Sequence, residues 1–467
     1  MLIELSDTAD TDQLCSSVNA EVLGGHSLPL PSTVLLEIFS IYLHLPGADE
    51  DSWHTLVHVC RLWRFVVFDS PRRLNLLLLC TPKRPLDSDI WPALPIIIDF
   101  LAEGAQPQGM DNIVAALKQH RRVRRIDIRG IPNLLMEEFA TVKDPFPQLI
   151  SLKLDSGDEN VPILPDSFLG GSAPHLRLLS LCGIPFPEVR TLLLSIRNLV
   201  GLRLWSIPRS GYISPEAVVT SLSALTGLRV FFLGFRSPRF QVGGGTRRLP
   251  PLTRIVLPAL ANFTFKGNSE YLEGIVSQID TPVLNHLKAT IFNQLIFDTP
   301  PLRHFISRTE IIKAHYRATV AFHGHRAEVG FSPQEGAAVN EGLFLGILCR
   351  PSDWQLSSLA QVCSSSLPPL YTLEHLKILS HRSHRQDDIE ITQWLEFLNP
   401  FVSVKNLVLS RISAPLVAPV LQELAGERVT ELLPMLENIH TEESRRSRMS
   451  RKPFSISSLC DSSLATL

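Results

Sequence analysis

Three histidines form one group of potential metal ligands or proton carriers in this chain: His315, His323 and His325. In an extended segment, side chains two residues apart project from the same face, so His323 and His325 could present two imidazoles to one metal ion. No cysteine follows at ligand spacing, and the one carboxylate that does is Glu328. Because a structural zinc site takes four ligands, we expect a surface strand with polar outward residues here, with neither metal nor cofactor.

A second candidate for chemistry is the glycine run VGGGT at 242–246, because consecutive glycine amides can bind phosphate. The run lacks the Gly-Lys-Ser/Thr ending of a P-loop, so a loop tip is the prediction. The sequence contains no GxSxG motif, and no cysteine has an identifiable His/Asp framework. We therefore predict that the protein is not an enzyme. A hydrolase within residues 290–370 stays open as an alternative.

The composition narrows the class of protein that positions these residues. At 467 residues and 52.1 kDa, the chain is too long for one ordinary core and suits two modules or an elongated repeat array. Its 45% hydrophobic and 19% charged residues exclude a mainly disordered chain, and its 35 prolines argue against a long coiled coil. A net charge of −2 gives no global attraction to nucleic acid or to an anionic membrane.

The cysteines and the start of the chain bear on the compartment. Seven cysteines occur without a CxxC pair, and an odd number in a long chain favours reduced thiols over a disulfide scaffold. The start, MLIELSDTADTDQLC, lacks the basic residues and continuous apolar stretch of a signal peptide. No apolar run approaches the ~18 residues that a membrane helix needs. We therefore expect a protein of the cytoplasm, the nucleus or both, with no membrane or nucleic-acid partner.

The sequence changes texture at three points, which predicts four zones. Residues 1–27 are acidic and aperiodic and are predicted to be a disordered lead-in. Residues 28–100 are rich in Trp, Leu and Val and are predicted to form short helices. Residues 101–440 repeat loosely, and 441–467 lose that periodicity, which predicts a disordered tail.

A leucine-rich pattern recurs through the long middle zone. Each copy has an apolar residue, two of any type, a second apolar residue, one of any type and a third apolar residue. The chain holds 74 leucines, so a single copy has no weight, but nine copies at near-regular spacing do. The copies are Val123/Ile126/Ile128, Leu149/Leu152/Leu154, Leu176/Leu179/Leu181, Leu199/Leu202/Leu204, Leu228/Phe231/Leu233, Leu260/Phe263/Phe265, Leu284/Leu287/Ala289, Leu373/Leu376/Ile378 and Val404/Leu407/Leu409.

Each copy predicts a short strand, because alternate side chains of a strand face the same side. About 25 residues suffice for a strand, a turn, a helix and the return, and such a unit buries its apolar face only by stacking on its neighbours. Helices are predicted between strands at 187–196 and 215–225. The predicted fold class is α/β: an irregular leucine-rich-repeat solenoid with parallel strands on the concave face and helices outside.

Residues 290–370 fit this repeat least well. Three runs within them are typical of strands: ATVAF at 318–322, AEVGF at 327–331 and LFLGILC at 343–349. Their composition predicts strands but does not fix their register.

The amino-terminal zone carries two apolar helical stripes. From LPLPSTVLLEIF at 28–39 onward, Val34, Leu35, Ile38 and Ile41 lie at helical spacing on one face. One helix is also predicted over 52–68, with a stripe formed by Trp53, Leu56, Val57, Cys60, Trp63 and Val67. About 45 residues enclose little core, so much of this surface requires a partner or the following domain. An end cap on the first repeat is the alternative, and it is compatible with docking.

These helices resemble an F-box, through LPSTVLLEIF at 30–39 and VCRLWR at 59–64. The continuation at 70–82 and 91–100 is similar to the F-box proteins found in large families in mushroom-forming fungi, which also have a leucine-rich-repeat-like region. The positions that correspond to the family's motif, some for adaptor contact and some for holding the helices together, are Leu30, Pro31, Val34, Leu35, Ile38, Phe39, Val59, Cys60 and Trp63.

The resemblance implies a substrate-recognition subunit of an SCF-type cullin ubiquitin ligase. The F-box would dock on the Skp adaptor, and through it on a cullin, while the repeats bind a target protein. The alternative is a leucine-rich-repeat scaffold that binds partners without any ligase.

If the solenoid forms, the residues that alternate with the buried anchors face the target. Trp205 and Phe232 would be natural hot spots there, ringed by Arg and Lys. The alternative is that a neighbouring loop covers them. The predicted target-binding residues are Lys153, Asp155, Arg203, Trp205, Phe232, Lys266, Lys288 and Lys377.

Two basic clusters remain, one at Arg121, Arg122, Arg124 and Arg125 and one at 445–452 in the predicted tail. Given the near-zero net charge, we predict a solvated face and a solvated tail. Nuclear import or polyanion contact is the alternative.

Overall fold

We describe the protein from a computed structural model. Two compact units divide the chain, Met1–Leu284 and Asn285–Leu467, called unit 1 and unit 2 below. The four zones predicted from sequence texture stay predictions, and the division into units falls inside the predicted repeat zone. The residues that the structure describes are 30–45, 52–86, 93–102, 107–157, 163–164, 168–185, 189–238, 254–292, 297, 299–310, 315–332, 342–349, 352–368, 370–380, 391–423 and 432–442.

Three predictions fall wholly or largely outside these residues. The lead-in at 1–27 and the glycine run at 242–246 lie outside them, as do residues 443–467 of the tail. Residues 441 and 442, assigned to the tail from the sequence, belong to a strand. No helix in the described part of the chain has the length and apolar character needed to cross a membrane.

The described part of unit 1 begins with three short helices: α1 (Ser32–Leu43), α2 (Trp53–Val57) and α3 (Arg61–Asp69). The prediction of one helix over 52–68 is wrong, because Cys60 is extended, with φ −160° and ψ 170°, and separates α2 from α3. Across this break the Arg64 Nε–H donates to the Val57 carbonyl at 3.0 Å. That hydrogen bond satisfies a carbonyl that the interrupted helix no longer pairs.

The main sheet of unit 1 is parallel throughout its eight described strands, and their order in the sheet is their order in the chain. These strands are β1 (Leu78–Cys80), β2 (Ile96–Leu101), β3 (Val123–Arg129), β4 (Ser151–Asp155), β5 (Leu178–Cys182), β6 (Gly201–Ile207), β7 (Val230–Phe235) and β9 (Asn262–Gly267). Two further strands, β8 (Ile255–Val256) and β10 (Ile279–Asp280), pair with each other.

The sheet begins earlier than the sequence pattern predicts. Linker helices were expected up to residue 100, but β1 and β2 lie in that segment. The physical reason is the run Ile96–Ile97–Ile98, since β-branched side chains favour a buried strand over a helix. All three isoleucines are buried.

Helices or single 3₁₀ turns connect many of the successive strands of unit 1. Two of these helices fall within the windows predicted at 187–196 and 215–225, which confirms both. At the second, Pro215 occupies the first turn and the Ser214 hydroxyl accepts from the Ala217 N–H at 3.2 Å. The helices are α4 (Pro107–Lys118), α5 (Asn133–Thr141), α6 (Val189–Ser195), α7 (Pro215–Leu222) and α8 (Ser269–Val276).

The apolar anchors of the repeat form continuous rows in the core. All nine copies of the pattern end in strands, and every one of their anchors is buried. Along unit 1, the middle anchors are in register from strand to strand: Ile126, Leu152, Leu179, Leu202, Phe231 and Phe263. The leucine-rich-repeat prediction is confirmed at the level of parallel strands with buried anchors.

Unit 2 has the same kind of strand in a different order. The strands are β11 (His286–Phe292), β12 (Arg317–His323), β13 (Arg326–Ser332), β14 (Gly342–Leu348), β15 (His375–Ser380), β16 (Asn406–Ser410) and β17 (Asn438–Glu442). The sheet runs β11-β14-β13-β12-β15-β16-β17, and the described helices of unit 2 are α9 (Pro300–Arg308), α10 (Ser352–Ser365), α11 (Ile391–Leu398) and α12 (Ala414–Glu423).

The three strands predicted within residues 290–370 are confirmed, and the structure supplies their register. β12 and β13 form an antiparallel hairpin through the two-residue turn 324–325, in which His323 pairs with Arg326. β14 is antiparallel to β13 and parallel to β11, while β12 is parallel to β15. Unit 2 therefore interrupts the parallel repeat with a hairpin.

Candidate protein-interaction surfaces

The first surface is a set of exposed apolar side chains on the front helices, here called the docking face. Its side chains are all large, apolar and more than 40% exposed. On α1 they step by three or four residues and so share one side of the helix. The docking face consists of Leu30, Val34, Ile38, Ile41, Leu45, Val59, Leu62 and Phe65.

The opposite side of α1 holds the front helices together. Leu35, Leu36 and Phe39 are buried, and the Phe39 ring lies 4.8 Å from that of Trp63 on α3. Leu35 and Phe39 therefore belong to the internal packing, while Trp63 and Cys60 are half-buried.

The other motif positions predicted from the sequence are exposed. Leu30, Pro31, Val34, Ile38 and Val59 are available to a partner. The sequence analysis placed Ile41 on the same helical stripe without assigning it to the adaptor, and the spacing of that stripe continues to residue 45. The members of the docking face that the sequence analysis missed are Leu45, Leu62 and Phe65.

The front helices are attached to the start of the unit 1 sheet. The buried indole N–H of Trp53 donates to the Leu77 carbonyl at 2.8 Å, next to β1. The Arg124 guanidinium on β3 donates to the Asn75 side chain at 2.8 Å. These contacts fit an end cap on the first repeats, and they leave the docking face on the outside.

The second surface is the strand face of unit 1, the side of the sheet opposite the buried anchors. On β2 to β4 it carries a network of opposite charges. The Asp127 carboxylate lies 3.4 Å from the Lys153 ammonium and 3.3 Å from the Arg129 guanidinium, and Arg129 also lies 3.8 Å from Asp99. Asp155, the next outward residue after Lys153, is half-buried beside this network. The charges on these strands therefore largely neutralise one another.

On β6 to β9 the same face carries an aromatic–cation cluster, consisting of Arg203, Trp205, Phe232 and Lys266. The Arg203 guanidinium lies 5.0 Å from the centre of the Phe232 ring, and the Lys266 ammonium lies 5.9 Å from the centre of the Trp205 ring. The two rings meet edge to face at 6.4 Å. Distances below about 6 Å are those of attractive cation–π contacts.

The side chains of this cluster are less exposed than the sequence alone predicts. Trp205 and Phe232 are half-buried, and Arg203 is only 4% exposed because it lies between neighbouring strands and the Phe232 ring. The Trp205 ring lies against Gly234, where an added β-carbon would be 2.5 Å from Trp205 Cε3. Glycine near the end of β7 thus permits the indole ring to lie against the backbone of the sheet.

Burial also changes the electrostatics of Lys266. Desolvation lowers the pKa of its ammonium group, and the neighbouring Cys182 opposes that shift more weakly. A partly desolvated cation interacts more strongly with an opposite charge than one in bulk water does.

The strand face of unit 2 carries polar residues of another kind. Glu328 on β13 lies 3.2 Å from the Arg326 guanidinium and 3.3 Å from the His323 imidazole. Burial lowers the pKa of Lys288 on β11, while Glu328 raises it and Arg326 lowers it to a smaller extent. Lys377 on β15 forms an ion pair with Glu442.

The three histidines singled out from the sequence, all in unit 2, do not converge. His315 is buried with its ring 4.8 Å from that of Phe331, His323 contacts Glu328, and His325 is exposed in the hairpin turn. Within the described ranges, no three His, Cys, Asp or Glu side chains come together as a group that could hold a metal ion.

The amino-terminal arginine cluster is partly structural. The Arg122 side chain donates to the Leu94 carbonyl at 3.0 Å and to the Gln119 side chain at 2.6 Å, and burial lowers its pKa. Arg124 likewise contacts Asn75. Two of the four arginines therefore form hydrogen bonds that connect the first segments of the sheet.

Comparisons with known proteins give little further assignment. No protein-family model matches the sequence, and no curated protein matches it. Among solved structures, the chain is similar to the leucine-rich repeat-containing protein LegL7 from Legionella pneumophila. The identity is 14% and the TM-score 0.27, and the match covers 66% of this chain and 87% of that one. The leucine-rich-repeat description therefore depends on the register and the buried anchors given above.

Proposed function

We propose that this protein is a non-enzymatic substrate-recognition subunit of an SCF-type ubiquitin ligase. In this proposal the docking face binds a Skp-type adaptor, and through it a cullin, while the strand face holds the target protein. The observation that carries the proposal is the division of α1. The helix with the F-box-like motif buries Leu35, Leu36 and Phe39 internally and still exposes Val34, Ile38 and Ile41.

An exposed apolar face of this kind favours a protein partner. Covering one large aliphatic or aromatic side chain contributes roughly 1.5–3 kcal/mol, so a few of these side chains suffice for a specific interface. Contiguous exposed apolar patches on proteins commonly mark binding sites. The resemblance to the F-box is what makes a Skp-type adaptor the proposed partner.

The test is binding of purified full-length protein to a Skp-type adaptor, measured by calorimetry or co-purification. Ile38→Asp places a charge at the centre of the docking face, and we expect it to weaken adaptor binding at least 100-fold. Thr33→Asp adds the same charge on an exposed side of the same helix and is expected to change binding less than threefold. Circular dichroism and thermal unfolding of both variants check that they fold.

The alternative is a repeat scaffold that acts without a ligase. The charged and aromatic residues of the strand faces would serve such a scaffold equally well. If the wild-type protein binds no Skp-type adaptor at micromolar concentration while it still captures a partner through a strand face, the scaffold replaces the ligase subunit. Equal adaptor binding by wild type and Ile38→Asp would remove the docking face from the proposal.

A further inference from the structure

The aromatic–cation cluster has the chemistry of a small recognition site. Trp205 and Phe232 supply a half-exposed apolar floor, and Gly234 keeps that floor flat. Lys266 places a half-buried positive charge beside the Trp205 ring, and the buried Arg203 guanidinium lies 5.0 Å from the centre of the Phe232 ring. A ligand that fits must therefore bring an apolar group for the floor and a negative group for its border.

The neighbouring strands limit the size of that negative group. In the sheet register, Trp205 pairs with Cys182 and Cys182 pairs with Asp155, so Asp155 lies two strands away, about 10 Å. Asp127 and Asp99 follow on the next two strands along the same face. A long polyanion running across the strands would meet these paired charges and gain no net positive charge from them, whereas a short segment with local negative charge needs only the cluster itself.

We propose that this cluster binds a short acidic segment of a target protein, in which a glutamate or aspartate stands beside a large apolar side chain. The apolar side chain lies on Trp205 and Phe232, and the carboxylate faces Lys266. This inference rests on the proposed function of the strand face, and it names the chemical class of its target.

The experiment uses the full-length protein and a short fluorescein-labelled Gly/Ser peptide with Glu-Phe-Glu at its centre. Fluorescence anisotropy is expected to show saturable binding that weakens as salt is raised. Replacing both Glu residues of the peptide by Gln is expected to lower affinity about tenfold, the size expected for a charge-assisted contact. Replacing Phe by Ala is expected to lower it by a similar factor.

Two lysine variants of the protein test the location. Lys266→Gln removes the cation beside Trp205 and is expected to weaken binding about tenfold. Lys153→Gln removes a strand-face cation that already pairs with Asp127 and is expected to change affinity less than twofold. Equal losses in both variants would place the peptide elsewhere and overturn the proposal.

Three other results would also overturn it: no binding at millimolar peptide, equal or tighter binding of a Lys-Phe-Lys peptide, or tighter binding of a single-stranded oligouridine. These results are independent of adaptor binding. If the peptide fails while the Skp-type adaptor binds through the docking face, the inference falls and the proposed function stands. If the peptide binds and the adaptor does not, the ligase role falls and the site stands.

Discussion

Unit 1 and unit 2 are built from the same kind of strand, but only unit 1 keeps its strands in chain order. In unit 1 each described strand of the main sheet pairs in parallel with the next one along the chain, apart from the short β8. In unit 2, β11 pairs with β14, and the hairpin of β12 and β13 lies between β14 and β15. An apolar pattern therefore identifies a strand, but the length of the segments that connect the strands determines which strands lie next to each other in the sheet.

The connections explain the difference. Two parallel neighbours require a crossover that is long enough for a helix, and the unit 1 repeat supplies one. In unit 2, a turn of only two residues joins β12 to β13, which permits only an antiparallel pair. Unit 2 thus mixes the two kinds of connection within one sheet.

The largest expected effect concerns the glycine that begins β14. Gly342 has φ +114°, and an added β-carbon would lie 2.0 Å from the Phe331 carbonyl oxygen on β13. We expect Gly342→Ala to lower the free energy of unfolding by more than about 4 kcal/mol, through both backbone strain and collision. Urea denaturation measures this loss.

The matched control lies on the same strand. A β-carbon at Gly346 would be 3.5 Å from the nearest atom, an ordinary contact, so Gly346→Ala is expected to cost about 1 kcal/mol or less. If the two variants lose equal stability, the junction of β13 with β14 is not the special feature of unit 2.

The next effect concerns the regular anchors of unit 1. Phe231 is buried and stacks on Phe263, with ring centres 5.2 Å apart. Phe231→Ala is expected to lower the free energy of unfolding by about 4 kcal/mol, and the adjacent Phe232→Ala by about 1 kcal/mol, because the second ring is half-exposed on the strand face. Similar losses at both positions would contradict the assignment of the two faces.

A smaller expected effect is the pH dependence that His315 of unit 2 gives to the free energy of unfolding. Burial lowers the pKa of His315 from 6.5 to about 4, so the folded chain holds this imidazole neutral while the unfolded chain protonates it below about pH 6.5. The free energy of unfolding should therefore fall as the pH drops from 6.5 to 4, by about 3 kcal/mol from this residue.

Comparing wild type with His315→Leu isolates that contribution, because the other titrating groups are shared. Denaturation at pH 7 and at pH 4.5 is expected to show a smaller acid loss in the variant. The same loss in both proteins would show that His315 is not the buried group responsible.

The smallest expected effect on the free energy of unfolding concerns the charged residues on the strand face of unit 1. Lys153 and Asp127 form a half-buried pair within a larger network, so Lys153→Gln is expected to cost about 0.5 kcal/mol and less at high salt. A loss of about 4 kcal/mol, measured by the same denaturation, would mean that the strand-face charges of unit 1 contribute as much as its anchors.

Much of the fold could be predicted because its signal is local. The alternation at Leu152 and Leu154, or at Phe263 and Phe265, directly records which face of a strand is buried. The order of the unit 2 strands could not be predicted in the same way, because it depends on pairing between distant residues. The Gly324-His325 pair between two strand-like runs was a usable hairpin signal.

The interaction surfaces were predictable only in part. Helical spacing correctly places Val34 and Ile38 on one side of α1, but it cannot tell which side the rest of the chain covers. Arg203 was expected to be exposed and is buried, since its neighbours across the strands determine where its long side chain lies. The extended conformation of Cys60 likewise had no clear signal in a continuous apolar stripe.

The hairpin of β12 and β13 contains an even number of strands, so the strands on either side of it run in the same direction. Passing from β14 through β13 to β12 reverses direction twice, so β14 and β15 point the same way. Excising the hairpin would leave every remaining strand with its original polarity, whereas excising a single strand would force an inversion. Evolution can thus add or lose such an insert in one genetic event without rebuilding what lies downstream.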